Sequence, residues 1–411
     1  MIKINLKEWE DIGVLQEFRE NPFIPIFNLE DKSKDYIEII DTSKSGIRIK
    51  AKNYVGFIPL NDEYLLIVNP KAKVEDFLYM LFKAKGKRTK LKDFERIVET
   101  GRKVKVGLEY PNIFDFLLHV LLQELKKIRT LGFLKRSVPK IEGRKNIRGK
   151  ILVKDTILRS LAVGRKTQIF CSYYDLSKNI PENMAIKFTL WLLLNLQETP
   201  KTAVNELFDR CRYFANVDSI SRPQHTLDEV EDHIGKNRIP STRQYYLDIL
   251  NLCIFFITHS KLEYVTEKKV KLRAFIIDMN TIFEEYVRHT LKDIVYPEFK
   301  IDKGLKPLFD NRNDFFTDPD YLISKDNQVI CIGDAKYKEK PSSDDFYQIF
   351  TYLDVYNSDK GILVYPHFGN EPKEEVFIKD RKKIWIYRLN LVNLREAEKD
   401  IGSFVRYVIN A

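Results

Sequence analysis

The chain has 411 residues, more than one ordinary core holds, and its 44% hydrophobic and 12% aromatic content supplies material for two or three domains. Charged residues make up 31% in mixed order, with a net charge of +10, and Gly and Pro number only 16 each, which excludes a disordered chain and long flexible linkers. No run approaches the roughly 18–20 apolar residues that span a bilayer, and four scattered cysteines with no CxxC pair exclude a disulfide framework or a zinc site.

The start, MIKINLKEWEDIG, carries acidic residues where a secretory signal needs an apolar stretch, so a soluble cytoplasmic protein is expected. Residues 36–69 read as a β-meander, in short runs rich in Ile, Val and Tyr (IEII, GIRIKAKNYVGFIPL, EYLLIVN) parted by turn residues. After Pro70 the period changes. EDFLYMLFKAKG reads as a short helix, and PNIFDFLLHVLLQELKKIR (111–129) as a longer one with a basic C-terminal end. A basic, mixed segment runs to about residue 170. Helices are then expected at 181–197, 204–217 and 242–259, with the polar stretch SRPQHTLDEVEDHIGKNRIPS as a surface excursion. From about residue 270 a helix, LRAFIIDMNTIFEEYVRHTLKDIV, precedes strands near 320–324 and 329–337, a helix from near Asp344, strands at 361–366 and 383–389, and a closing helix.

The expected fold is therefore multidomain α+β. A β-rich N-terminal domain (1–110) is followed by a mostly helical middle region (111–265) and a C-terminal α/β domain with a mixed central sheet (266–411). No GxxxxGK[ST] occurs, so no nucleotide is expected to bind this chain itself.

Charge is unevenly spread. Residues 83–92, KAKGKRTKLK, hold six basic and no acidic side chains, and residues 135–166 hold eleven basic against two acidic. Such clusters fit either a polyanion partner or a solvated surface. Arg144, Lys145, Arg148 and Lys150 are the candidate DNA contacts of the second cluster.

The chemistry concentrates in PDYLISKDNQVICIGDAKYK (319–338). An acidic residue followed two places later by a lysine is commonplace in a chain this charged, so Asp334 and Lys336 mean little alone. They do, however, end the apolar run VICIG, and strand residues two apart share a face. A charge at the end of a core strand is costly without a partner. If Asp326-Asn327-Gln328 is a three-residue loop, Asp320 falls opposite Asp334. A two-residue loop pairs Asp320 with Gly333 instead, and a bulge at that glycine restores the match. Either way two carboxylates converge on a hard cation such as Mg²⁺, with Mn²⁺ as its substitute. Asp318, two residues earlier, is an alternative ligand. Gln348 and Tyr352, four apart, share a helical face beside the hairpin. Glu284, on an otherwise amphipathic helix, offers a further carboxylate, although its neighbour Glu285 is as well placed to face water or the site.

The order of helix Glu, PD, DxK and QxxxY resembles the PD-(D/E)xK nuclease superfamily, in its QxxxY branch. Along nearly the full length the chain resembles the McrC nuclease subunits of McrBC modification-dependent restriction systems. The similar pieces are LIVNPKA, VPKIEGRKNIRGKI, YYDLSKNIPENMAIKFTL, MNTIFEEYV, PDYLI, GDAKYK, DFYQIFTYLDVY and GILVYP. The resemblance implies that Asp320 and Asp334 bind the catalytic metal with Glu284 assisting, and that Lys336 orients water and offsets phosphate charge. It implies too that Gln348 and Tyr352 order the helix or touch DNA. It further implies double-stranded, probably methylcytosine-containing DNA as substrate, a McrB-like AAA+ GTPase hexamer as partner, bound through the N-terminal part, and pairing of nuclease subunits for double-strand cuts. A standalone RecB-like nuclease and a non-catalytic adaptor that stimulates a AAA+ ring are the alternatives.

Overall fold

The computed structural model describes residues 2–13, 36–42, 46–60, 64–84, 113–165, 167–196, 199–220, 223–266, 269–369 and 374–411. Of the basic run 83–92, all but the first two residues lie outside them. The chain falls into two compact units, one made of residues 1–114, 259–261 and 273–411, the other of 115–258 and 262–272.

The N-terminal strands are β1 (Ile2–Lys7), β2 (Asp11–Gly13), β3 (Ile37–Thr42), β4 (Gly46–Ala51), β5 (Tyr54–Pro59) and β6 (Tyr64–Asn69), followed by helix α1 (Val74–Ala84). Residues 36–69 form two hairpins in two different sheets, where the sequence pattern reads as one meander. β3 and β4 pair with each other and β2 takes the free edge of β4, whereas β5 pairs with β6 and β6 takes β1 in parallel. The chain changes sheets between Ala51 and Tyr54, so the strands on either side of that step are not neighbours.

The second unit holds α2 (Ile113–Leu131) from Asp115 on, β7 (Arg136–Arg144), β8 (Lys150–Ile151), α3 (Val153–Arg159), β9 (Ile169–Ser177), α4 (Pro181–Asn195), α5 (Lys201–Tyr213), α6 (Pro223–Gly235) and α7 (Tyr245–His259). Helix α4 packs against α5 and α6. The stretch read as a surface excursion contains helix α6, which buries Pro223, Leu227 and Val230 and leaves its charges outside. Buried polar groups here are satisfied within the unit: the Tyr246 hydroxyl donates to Asn183 Oδ1 at 2.8 Å and accepts from the Leu134 amide at 2.9 Å.

Strands β10 (Ser260–Thr266) and β11 (Lys269–Asp278) lead to helix α8 (Met279–Val295). The helix expected from residue 272 thus begins seven residues later, because 272–278 continues β11. Asp278 ends the strand and caps the helix, its side chain accepting from the Asn280 amide. The segment is a strand because β5 offers it a ladder: Phe275, Ile276, Ile277 and Asp278 pair with Phe57, Gly56, Val55 and Tyr54, giving a five-stranded sheet in the order β1-β6-β5-β11-β10. Gly56, at φ 134°, is required there, since a Cβ would overlap the Phe275 carbonyl.

The remaining elements are β12 (Lys300–Asp302), β13 (Lys306–Phe309), β14 (Arg312–Thr317), β15 (Tyr321–Lys325), β16 (Gln328–Ala335), α9 (Ser343–Tyr356), β17 (Lys360–His367), β18 (Glu374–Lys379), β19 (Lys382–Asn390) and α10 (Leu394–Asn410). Six of these strands form a mixed sheet in the order β12-β15-β16-β17-β19-β18, parallel at β16–β17–β19 and antiparallel elsewhere. Helices α8 and α9 both pack on β16. The apolar face beneath α9, with Leu322, Ile332, Ile349, Leu353, Leu363 and Ile386, fixes the end of β16 between them. Among the described residues, no helix is long and apolar enough to cross a membrane.

Candidate active site

The β15–β16 hairpin decides whether the two aspartates can meet. Its loop has two residues, Asp326 and Asn327, both in the left-handed region at φ 50° and 64°, which Asp and Asn tolerate better than most side chains. Lys325 therefore pairs with Gln328 and Ser324 with Val329. Regular continuation would put Asp320 against Gly333. The register shifts instead between Ser324 and Ile323, so that Ile323 faces Cys331 and Tyr321 faces Gly333, and one step further Asp320 faces Asp334. The extra residue is Ile330, not the glycine. Gly333 serves another purpose: the Tyr321 ring occupies the space a Cβ would need.

The hairpin delivers both carboxylates into the interior. Asp320 is 7% exposed and Asp334 1%. Asp320 Oδ2 accepts from the Ala335 amide at 2.7 Å, which ties the loop before β15 to the end of β16. Asp334 Oδ2 lies 2.6 Å from Lys336 Nζ but off the direction of a hydrogen bond, so it is ion-paired while lacking a hydrogen-bond donor. Burial, then the charges of Asp334 and Glu284, raise the Asp320 carboxyl far above the usual carboxylate range. Burial also pushes Glu284 up to about 7, eased by Lys336 and reinforced by Asp334. Burial pulls the Lys336 ammonium down, but Asp334 and Asp320 outweigh it and leave its pKa raised, so it stays charged.

Of the two neighbouring acids on α8, Glu284 is the one that senses Asp334 and Lys336, whereas Glu285 is held by Arg288 and lies 3.5 Å from His289 Nε2. Asp318 is turned to the surface, 3.3 Å from Lys303 Nζ. The structure thus brings Asp320, Asp334 and Lys336 together with Glu284 beside them. Among the described residues, no three His, Cys, Asp or Glu side chains gather closely enough to form a ready-made metal cage. Two opposed, buried carboxylates with one oxygen short of a donor do fit Mg²⁺, which takes few protein ligands and keeps its other positions for water and phosphate.

Helix α9 stands next to this group because Ser342 and Asp345 form a reciprocal capping box at its start. Gln348 Nε2 donates to the Tyr352 hydroxyl at 2.6 Å, and that hydroxyl reaches the Asp318 carbonyl at 3.4 Å. Tyr352 is buried and its hydroxyl is pushed up to about 12, by burial and then by Asp334, so it remains a neutral donor. The pair bolts α9 to the segment that carries Asp320.

Other residues of the site carry no sequence signal of their own. Asp345 accepts from Lys338 Nζ and from the Tyr365 hydroxyl, each at 2.7 Å, and these bonds outweigh burial to hold its carboxyl below the usual range. Tyr337 points to the opposite face from Lys336 and donates to Glu8 Oε2 at 2.9 Å. Glu8 is fully buried, also accepts from the Lys71 amide at 3.0 Å, keeps Oε1 without a partner, and is pushed up to about 7 by burial. The alternation of AKYK marks Tyr337 as the inward neighbour of Lys336, whereas nothing in the sequence pairs it with a residue 329 positions away.

The basic candidates lie in the second unit, on the sheet β7-β9-β8 and its connections. Arg144 bonds Glu142 at 2.7 Å and the Tyr173 hydroxyl at 2.8 Å. Arg148 bonds Asp175 at 3.1 Å and stacks over the Tyr173 ring at 4.2 Å. Lys145 and Lys150 are exposed.

Residues 49–366 match the family described as McrBC 5-methylcytosine restriction system component. No curated protein matches the sequence. Among solved structures, the chain is similar to a refined half-complex from a tetradecameric assembly of Thermococcus gammatolerans McrB AAA+ hexamers with bound McrC. The TM-score is 0.64 at 18% identity, over 99% of this chain and 100% of that one. It is also similar to a cryo-EM structure of the Thermococcus gammatolerans McrBC complex, with a TM-score of 0.47 at 18% identity, over 72% of this chain and 88% of that one.

Proposed function

The chain belongs to the McrBC 5-methylcytosine restriction system component family, and we propose that it is the nuclease subunit of such a system. In this reading it is a Mg²⁺-dependent endodeoxyribonuclease that hydrolyses phosphodiester bonds of modified DNA. It cuts when assembled on a AAA+ GTPase ring whose hydrolysis it stimulates. The similarity to a structure of McrB AAA+ hexamers with bound McrC supports the partner. The absence of GxxxxGK[ST] from the sequence suits a division of labour in which the partner holds the nucleotide.

The observation that carries the chemistry is the burial of Asp320 opposite Asp334, with Lys336 Nζ 2.6 Å from the latter. Two buried carboxylates this close retain a proton unless a cation replaces it. Asp320 and Asp334 are the residues that would hold Mg²⁺, which when bound activates water and stabilises negative charge building on phosphate. Lys336, kept charged by its two acidic neighbours, holds the attacking water or neutralises a non-bridging phosphate oxygen. Glu284 lends further negative charge from α8. Gln348 and Tyr352, hydrogen-bonded to each other, keep α9 against the Asp320 segment and offer donors toward the DNA backbone. Lys145 and Lys150 are available to DNA or to an acidic partner surface.

The test is cleavage of methylated and unmodified plasmid by the assembled complex, with Asp334→Ala and Lys336→Ala alongside the native chain. Loss of cutting with GTPase stimulation retained is expected. Cutting that survives either substitution overturns the site. Cutting by the native chain without partner or nucleotide establishes the standalone nuclease, and stimulation without any cutting establishes the adaptor.

A further inference from the structure

A polar cleft of about 540 Å³ opens within the first unit, beside the carboxylates but distinct from them. One wall is the step where the chain leaves β4 for β5 and presents Lys52 and Asn53. The other is the loop after β16, with Lys338 and Lys340, and the start of α8, with Asn280. Trp9 lies at its side, its indole Nε1 donating to Asn53 Oδ1 at 2.6 Å, while Asn53 Nδ2 donates to Asn280 Oδ1 at 2.8 Å.

Three features assign a ligand class. Cations face the cleft from both walls. Glu339 on the rim is drawn to Lys71 at 2.9 Å, leaving Glu38 as the cleft's other carboxylate, so cations prevail in the lining. Amide groups and the flat ring of Trp9 add neutral donors and a surface for a sugar or base. The cleft also runs directly into the site: Asn280 is one helical turn before Glu284 on the same face of α8, and Lys338 is two residues after Lys336. A strand with its scissile phosphate at Lys336 has its neighbouring phosphates within reach of these walls.

We propose that this cleft binds the sugar-phosphate backbone of one DNA strand next to the scissile bond, Lys52 and Lys340 each neutralising a phosphate. The inference rests on the nuclease reading for its direction, although its binding test does not need catalysis. Lys52 and Lys340 are both exposed, so their replacement leaves the core intact.

The full-length chain is titrated with a fluorescein-labelled 20-base-pair duplex in EDTA, by anisotropy, over a series of salt concentrations. Each neutralised phosphate contributes about 0.9 to the log–log salt slope. Lys52→Ala/Lys340→Ala should therefore lower the slope by about 2 and weaken binding on the order of tenfold per lysine at 0.1 M salt. Lys340→Ala alone should show half of this, with unfolding temperatures unchanged. An unaltered slope and affinity overturn the cleft, as does equal binding of poly-glutamate with the same sensitivity to the two substitutions, which would make an acidic polypeptide the ligand. The outcomes separate from the nuclease reading, because Asp334→Ala tests cutting and leaves the lysines in place. If Asp334→Ala still cuts while the lysine variants lose affinity, the catalytic assignment fails and the cleft stands. If cutting is lost in Asp334→Ala but the lysines do not affect binding, the reverse holds.

Discussion

At the ends of β15 and β16, two carboxylates of 7% and 1% exposure face each other, and one of their oxygens has a lysine nearby but no hydrogen-bond donor. Along β7 and β9, by contrast, each guanidinium has its own carboxylate and shares the Tyr173 ring, with Arg148 48% and Asp175 39% exposed. The second region is far richer in charge, yet its charges are internally matched and open to water. The first has few charges, and they are held against electrostatic cost. What separates them is burial without full compensation, the condition under which a charged group acts on a ligand, not on its own fold.

The contrast breaks most easily at Asp334. Asp334→Ala removes the better-buried acid and should lower DNA cleavage on the order of 10³-fold or more, measured as plasmid linearisation by the assembled complex. If Arg148→Ala proves the more damaging change, the ranking of the two regions is reversed.

A second effect lies behind the same strand. Glu8, beneath Tyr337, has a folded-state pKa raised from 4.5 to about 7 by burial. The folded chain therefore binds more protons than the unfolded one between these values, and stability is complete below about 4.5 and declines as pH rises through 7. The shift corresponds to about 3 kcal/mol at most. Glu8→Gln keeps an acceptor for Tyr337 and cannot ionise, so thermal unfolding of the variant should lose this slope between pH 4.5 and 7. It should exceed the native chain in stability above pH 7. An unchanged pH profile would remove Glu8 from the set of strained groups.

These groups differ in how far the sequence exposes them. Asp320, Asp334 and Lys336 are legible because period-2 alternation and hairpin counting are local rules, and β15, β16, β17, β19 and α9 lie where the pattern puts them. Counting also yields the condition that a two-residue loop needs a bulge. It cannot place that bulge, because Ile330 is the extra residue only once the Tyr321 ring has taken the space at Gly333. Residues 272–278 fail for a similar reason: LRAFIID continues an apolar pattern that a helix accepts, and only the ladder offered by β5, some 220 residues earlier, makes it a strand. Glu8 and the Trp9–Asn53–Asn280 chain belong to the same class of long-range contacts.

The next effect is smaller and tests how much of the site is support. Gln348→Ala leaves the Tyr352 hydroxyl with only its longer contact to the Asp318 carbonyl, so α9 and the Asp320 segment lose a tie without losing a carboxylate. Cleavage should fall about tenfold, close to 1.4 kcal/mol in barrier. Gln348→Glu, which retains an acceptor but not the donor, should resemble alanine if the bond to Tyr352 is what matters. A loss as large as that of Asp334→Ala would instead place Gln348 on the DNA.

The smallest effect is expected where the charge is densest. Arg148 is paired with Asp175 in the open and stacked on Tyr173, and an exposed pair of this kind contributes less than about 1 kcal/mol. Arg148→Ala should shift unfolding slightly and leave the DNA salt slope of the complex within 0.3 of native, because the guanidinium's charge is already met by a carboxylate. Lys150→Ala, which removes an exposed cation from the same sheet, should reduce the slope by about 1 if this face meets DNA, and by nothing if it meets an acidic protein surface. The pair of measurements divides one basic cluster into charge that holds the sheet together and charge that is left for a partner, a division that depends on Glu142 and Asp175 and not on the number of lysines and arginines.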